Sequence, residues 1–304
     1  MRTASFSTSV VLVSVLFLGS SVSSARAQTS DVVGVRALGM AGAFTAVADD
    51  STATWWNPAG LAGGGFFSAI LEYAHPIDRP GEGLRSISLG FPALGLSYYR
   101  MPANEIRPSI ATAGTAGSRQ DEGSLSVFGA TVGQSIGNHL VVGSTVKLVN
   151  ALGDTDGGLD LGAMAMFGRA RFGLMVRNVT EPEFDDGDVT GKLYRTARAG
   201  AAFTTGTRGA IGETTVAFDA DLVKTPTVRG EERRMAAGAE IWLAKRRVGA
   251  RGGISGNTTG EFQMTPSGGA SVALRQGTFV DAELTGGGDD EGRRGWGLAL
   301  RVTF

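Results

Sequence analysis

From Phe66 to the last residue, apolar and polar positions alternate with a period of two, and helical spacing is rare. The carboxy-terminal "WGLALRVTF" is the clearest case. Trp296, Leu298, Leu300, Val302 and Phe304 fall on one face, and Gly297, Ala299, Arg301 and Thr303 fall on the other. Alternate side chains of a strand point to opposite faces of a sheet. The stretch therefore reads as a strand with one wholly apolar face and one small or polar face. The pattern recurs. Val216, Phe218, Ala220 and Leu222 oppose Ala217, Asp219 and Asp221; Ala237, Ala239, Ile241 and Leu243 oppose Gly238, Glu240 and Trp242; Val280, Ala282 and Leu284 oppose Asp281 and Glu283. Turn-forming clusters separate such runs: "GNH" at 137–139, "GDTDGG" at 153–158, "EPEFDDGD" at 181–188 and "GGGDDEGRRG" at 286–295.

The pattern predicts about 14 strands, near residues 67–75, 84–91, 93–101, 123–134, 138–149, 157–168, 170–179, 194–205, 213–223, 234–244, 246–254, 262–275, 277–285 and 295–304. An even number suits a closed antiparallel barrel with no unpaired edge. A strand of about ten residues, tilted near 40°, crosses an apolar band of about 25 Å. The expected fold class is therefore all-β, a transmembrane antiparallel β-barrel over residues 66–304. A soluble sandwich also alternates. Here, however, the apolar face is nearly free of charge, and Arg171, Arg177, Arg198, Arg251, Asp160, Asp219, Asp221 and Glu240 gather on the other, the expected lumen side.

Residues 1–27 read as a signal peptide. Arg2 gives a positive start, Val10–Leu18 is an apolar run too short to span a bilayer, and Ala25-Arg26-Ala27 is an A-x-A cleavage site. No later run reaches 18 apolar residues, which leaves a periplasmic protein, a secreted one or an outer-membrane β-barrel; with the period-two pattern, the expected location is the bacterial outer membrane, with outer-membrane lipid as surroundings. Cysteine is absent, which excludes disulfides, thiol nucleophiles and thiolate metal sites. The 47 glycines against 9 prolines suit turns and closely packed strands. A formal charge of −1 without a Lys/Arg cluster argues against nucleic acid as a partner.

Residues 28–65 precede the first strand and cannot lie in lipid. A barrel of about 14 strands encloses a bore that needs a plug or acts as a pore, so this segment is expected to be a hatch in the lumen. Leu38, Met40, Ala41, Phe44 and Val47 predict a short helix ending near Asp49-Asp50, and Asn57-Pro58 predicts a turn. Trp55, Trp56 and Phe44 are candidate contacts for an apolar ligand, although packing of the hatch explains tryptophans there equally well.

The stretch "GVRALGMAGAFTAVADDSTATWWNPAGLA" resembles the N-terminal signature of the FadL superfamily of outer-membrane proteins, including its PorV/PorQ-like branch. The resemblance rests on Gly34, Arg36, Gly39, Met40, Gly42, Ala43, Phe44, Ala46, Ala48, Asp49, Asp50, Trp56, Asn57, Pro58, Ala59 and Gly60. It implies a barrel of 14 strands whose N-terminal plug gates a path for fatty acid-like or hydrocarbon molecules. Gly39, Gly42, Phe44, Asp49, Asp50, Asn57, Pro58, Ala59 and Gly60 would shape that gate. The PorV-like branch implies instead a component of a type IX-like protein secretion system, with exported proteins as partners. The alternating Trp296, Leu298, Leu300, Val302 and terminal Phe304 resemble the signal read by the barrel assembly machinery. One departure is the longest loop expected, Pro102–Gly123, which is polar and Ala/Gly-rich rather than greasy.

No enzymatic constellation emerges. The histidines, His75 and His139, stand alone, and Ser135, Asn138 and His139 fall at an expected turn. "DTDGGLD" (154–160) lacks the closing Glu of a calcium loop. The expectation is a channel with no cofactor, no metal and no catalytic residue.

Overall fold

The computed structural model describes residues 32–77, 83–102, 124–151, 153–185, 190–207, 211–227, 230–259, 263–287 and 294–304. The expected signal peptide at 1–27 lies outside the described residues, as does loop 103–123.

Strands β1 (Ser68–Pro76), β2 (Leu84–Phe91), β3 (Leu94–Pro102), β4 (Ser124–Ile136), β5 (Leu140–Ala151), β6 (Asp154–Phe167) and β7 (Ala170–Arg177) form consecutive antiparallel pairs. A small hairpin of β8 (Glu183–Asp185) and β9 (Thr190–Lys192) follows, then β10 (Thr196–Thr205) and β11 (Ile211–Asp221). A second hairpin, β12 (Thr225–Thr227) and β13 (Gly230–Glu232), precedes β14 (Arg234–Leu243), β15 (Val248–Asn257), β16 (Gln263–Arg275), β17 (Thr278–Thr285) and β18 (Gly295–Thr303). β1 pairs with β18 from Ser68↔Thr303 to Pro76↔Gly295, closing a barrel of 14 strands. Closure leaves no edge to pair with another chain.

The period-two pattern sets which side chains face in. Along β1, Glu72 is 4% exposed while its neighbour Leu71 is 59% exposed. Along β18, Ala299 and Arg301 are buried inside, and Leu298 and Leu300 stand exposed outside. The outer wall is a continuous apolar surface (Leu96, Phe128, Val146, Phe172, Phe218, Val272), as lipid requires.

At one end the strands join through tight turns, with Gly137, Gly168 and Gly277 at positive φ. Phe67 packs there against Phe91 and Phe304. At the other end lie the longer connections and both small hairpins, and Tyr73, His75 and Trp296 cluster on the outer rim. Short turns at one end and long loops at the other mark an outer-membrane-type barrel.

Three sequence expectations change. The helix expected to reach Asp49-Asp50 is only α1 (Val35–Gly39). Ala41 (φ 57°) and Gly42 (φ 80°) turn the backbone left-handed, and the N–H groups of Phe44 and Thr45 reach a wall carboxylate, Asp219, rather than carbonyls four residues back along a continuing helix. Two further short helices, α2 (Ala53–Trp56) and α3 (Gly60–Gly63), flank the Asn57-Pro58 turn. The expected turn at 153–158 is mostly strand, since Asp154 already pairs with Ala151 and Thr155 with Asn150. The expected turn at 181–188 holds β8, because Phe184 pairs with Gly191 across the hairpin.

Candidate functional site: the filled lumen

The segment from Val33 to Leu61 lies inside the barrel and is almost entirely buried. Helix α1 packs on β15, β16, β17 and β18, α2 on β3 and β4, and α3 on β2 to β5. The wall holds the segment with two kinds of group.

Its first part is held by carboxylates. Glu72 on β1 accepts hydrogen bonds from the N–H groups of Gly34 (3.2 Å) and Val35 (2.8 Å), and from Ser86 Oγ (2.8 Å). Across the lumen, Asp219 on β11 accepts from Phe44 N (3.0 Å) and Thr45 N (2.8 Å). Arg36 donates to Glu240 through Nε (2.9 Å) and Nη2 (2.7 Å), and through Nη1 to Asp49 (2.5 Å) and Asp50 (3.1 Å). Arg171 adds a second cation 3.8 Å from Asp49. Burial opposes the charge on Asp49, but the Arg36 and Arg171 guanidiniums outweigh it and hold its carboxyl below the usual range. Burial likewise opposes the charge on Arg36, and Asp49, Glu240 and Asp50 more than offset it. Behind Glu240, the network continues through Arg251 and Ser271 to Asp281, which also accepts from Arg301 Nε (2.8 Å).

Its second part is held mainly by neutral groups and close packing, with one wall cation, Arg177, donating through Nη2 to Trp55 O (2.9 Å). Ser51 N donates to Ser68 Oγ (3.0 Å), Ser51 Oγ lies 2.8 Å from Ser88 Oγ, and Thr54 Oγ1 lies 2.6 Å from Tyr99 Oη. Asn57 Nδ2 donates to Thr45 O (2.8 Å) within the segment and to Ala163 O (3.2 Å) on the wall, while Asn57 Oδ1 accepts from Ala59 N (3.2 Å). Gly143 and Gly162 let this turn touch the wall backbone: a Cβ on Gly143 would collide with Pro58, and one on Gly162 with Asn57.

The other residues singled out in the sequence take clear positions. Gly39 lies against the Arg251 side chain, and a Cβ on Gly60 would strike the Ala48 carbonyl. Phe44 meets Trp56 edge-on at 6.0 Å, and Trp56 Nε1 donates to Val33 O (3.0 Å). Trp55 meets Tyr99 edge-on at 5.3 Å, with the Arg177 guanidinium 4.4 Å over its ring. These aromatic residues are buried within the segment and between it and the wall. The lumen-side charges expected from alternation face inward, and Lys147, which that set lacked, donates to both oxygens of Asp160 (2.7 and 2.8 Å) and to Asn178 Oδ1 (2.7 Å). Asp154, Asp156 and Asp160 are strung along β6, which places the outer two about 20 Å apart. His139 closes a tight turn, with Nδ1 2.9 Å from Met166 O.

Sequence reasoning also missed the upper lumen. On the long-loop side of the segment, Leu84, Tyr99, Met101, Leu125, Val127, Val149 and Ala151 line the wall and join Val33, Trp55 and Trp56 in one buried cluster. Phe184 and Leu193, from the β8–β9 hairpin and the residue after it, complete that cluster from outside the barrel strands. Phe184 is 2% exposed. Glu72 was legible as a charge among the inward positions of β1. Phe184 had no such signal, because a three-residue strand carries no readable period.

These features define a closed antiparallel barrel of 14 strands with an apolar outer wall, its bore occupied by residues 33–61 of the same chain. Among solved structures, the chain is similar to the Ralstonia pickettii toluene transporter TbuX, at TM-score 0.60 and 12% identity over 90% of this chain and 98% of that one. It is also similar to the CymD monoaromatic hydrocarbon channel (TM-score 0.58, 12% identity, 91% and 99% covered). A third is a Pseudomonas aeruginosa FadL homologue (TM-score 0.52, 11% identity, 91% and 98% covered). At these identities the likeness is one of fold. No protein-family model and no curated protein matches the chain.

Proposed function

We propose that the protein is an outer-membrane channel for small hydrophobic molecules, gated by residues 32–65 acting as a hatch. The observation that carries this reading is the apolar cluster at the long-loop end of the lumen, which sits directly on the inner segment and is capped by Phe184. A polar porin has no use for a greasy vestibule over a plug. The FadL-type and hydrocarbon-channel folds among the similar structures support the same reading, as does the N-terminal signature. Hydrophobic molecules would enter at the long-loop end, displace the cap and pass as the inner segment rearranges. Glu72, Asp219 and Glu240 would release its first part, while Asn57, Pro58, Ala59 and Gly60 anchor its second part.

Two measurements test this. Deleting residues 32–65 should convert a closed barrel into a conducting one in planar bilayers, and unchanged conductance would remove the hatch. Mass spectrometry of apolar compounds co-purifying with the natively extracted protein should find a retained hydrocarbon or acyl molecule. Retained polypeptides without a small molecule would favour the PorV-like secretion reading instead.

A further inference from the structure

The outer wall carries one feature that transport does not use. Along β2 the outward side chains run Phe91, Leu89, Ile87 and then Arg85; along β3 they run Leu94, Leu96, Tyr98 and then Arg100. On both strands the apolar face ends at an arginine, toward the long-loop end. The two arginines are directly opposite each other in the β2–β3 ladder. Both are exposed, and neither makes an ion pair or hydrogen bond with another described residue. Directly opposed side chains of an antiparallel pair lie close together, and like charges there repel. Two cations held side by side at the edge of an apolar wall are a costly arrangement unless an anion lies between them.

The flanks fit that anion to a lipid. On one side Tyr73 is opposite Arg85, and Tyr73, His75 and Trp296 form a cluster on the outer rim, the chemistry of an interfacial aromatic belt. On the other side Ser126 is opposite Arg100 and offers a hydroxyl. Toward the membrane centre, the opposed pairs Ile87↔Tyr98 and Leu89↔Leu96 continue the outer face as apolar surface. Guanidinium forks match phosphate oxygens in bidentate pairs.

We infer that Arg85 and Arg100 form a binding site for the phosphorylated headgroup of a lipid in the leaflet at the long-loop end, with its acyl chains lying on Ile87, Leu89 and Leu96. The inference rests on the barrel spanning a membrane and is independent of what passes through the lumen. The site holds the lipid against β2 and β3, two of the strands on which the inner segment packs: α2 on β3, and α3 on both.

The test is native mass spectrometry of the full mature chain in detergent, titrated with diphosphorylated lipid A and with the same lipid after dephosphorylation. The wild type should retain the phosphorylated form about tenfold more tightly. Arg85→Gln/Arg100→Gln should lose that preference, each single variant should lose part of it, and Lys245→Gln at the opposite end should keep it. Heat-modifiable gel migration confirms that each variant is a closed barrel, and hydrocarbon uptake by the double variant should match the wild type. Equal retention of the two lipids by the wild type, or an undiminished preference in the double variant, would overturn the site. Displacement of the lipid by millimolar inorganic phosphate would also overturn it, as a free-anion site.

Discussion

The guanidinium of Arg36 and the carboxylate of Glu240 meet in two hydrogen bonds of 2.9 and 2.7 Å, joining positions 204 residues apart. The same guanidinium reaches back to Asp49 and Asp50. One side chain thus ties the inner segment to β14 and to itself. Glu240 in turn accepts from Trp242 Nε1 (3.2 Å) and lies 3.7 Å from Arg251 Nε.

Arg36→Ala leaves Glu240 and Asp50 buried without their main cation. Removing one partner of a buried ion pair costs about 3–5 kcal/mol, and the expected loss in denaturant-unfolding stability is of that size. Basal conductance should rise, because the first part of the segment loses its grip on the wall. Glu240→Gln keeps an acceptor for Arg36 and should cost less. A loss below about 1 kcal/mol for Arg36→Ala, against the usual cost of breaking such a pair, would mean that the segment is held by packing alone.

Much of this is legible in the sequence, and the reason is periodicity. Strands near ten residues repeat inward and outward positions often enough to be read, so alternation alone puts Asp219, Glu240 and Arg251 on the lumen face. The inner segment is legible only as a unit. Its path depends on Gly42 and Ala41 taking positive φ and on Asp219 capturing two backbone N–H groups from 174 and 175 residues away. No local pattern encodes a partner that distant. Glu72 and Lys147 are readable as inward charges, but their roles emerge only when the segment is packed against them.

The second part of the segment should respond to volume rather than charge. Gly162 faces Asn57 with no room for a side chain. Gly162→Val should push the Asn57-Pro58 turn off the wall, break the Asn57–Ala163 contact and raise conductance. Gly157→Val is the control, since a Cβ there meets open space. Equal effects from the two substitutions would point to strand propensity instead. The expected destabilisation at Gly162 is about 1–3 kcal/mol, the range for overpacking.

Acid should loosen the segment through Asp49. Its folded pKa lies below its unfolded value of about 4. The stability it contributes is therefore present above that value and is lost as the pH falls through the folded value. Arg36 and Arg171 favour its charge, and Glu240 opposes it. Conductance of the wild type should rise as the pH drops below about 4. Asp49→Asn should conduct more at neutral pH and lose part of the acid step. Superimposable acid profiles for the two proteins would assign the step to carboxylates other than Asp49.

The cap over the vestibule offers a test of what enters. Phe184 lies on a hairpin outside the barrel strands, and that hairpin is tied to barrel strand β6: Glu183 N donates to Asp156 (2.9 Å), while Lys192 Nζ donates to Glu183 (2.9 Å) and Leu193 N to Pro182 O (2.9 Å). On the proposed route its ring fills space that an incoming apolar molecule would need, so ring and ligand would compete. Phe184→Ala removes the competitor and leaves the wall residues intact. Uptake of a monoaromatic hydrocarbon by proteoliposomes should accelerate several-fold, while ion conductance stays low because the inner segment is untouched. Truncating a buried Phe costs about 3–5 kcal/mol where the site cannot collapse. A hairpin at the mouth can close inward, so the loss should be smaller. Faster uptake with unchanged conductance separates the cap from the hatch. A joint rise in both would make Phe184 part of the hatch, and slower uptake would make its ring part of the binding surface.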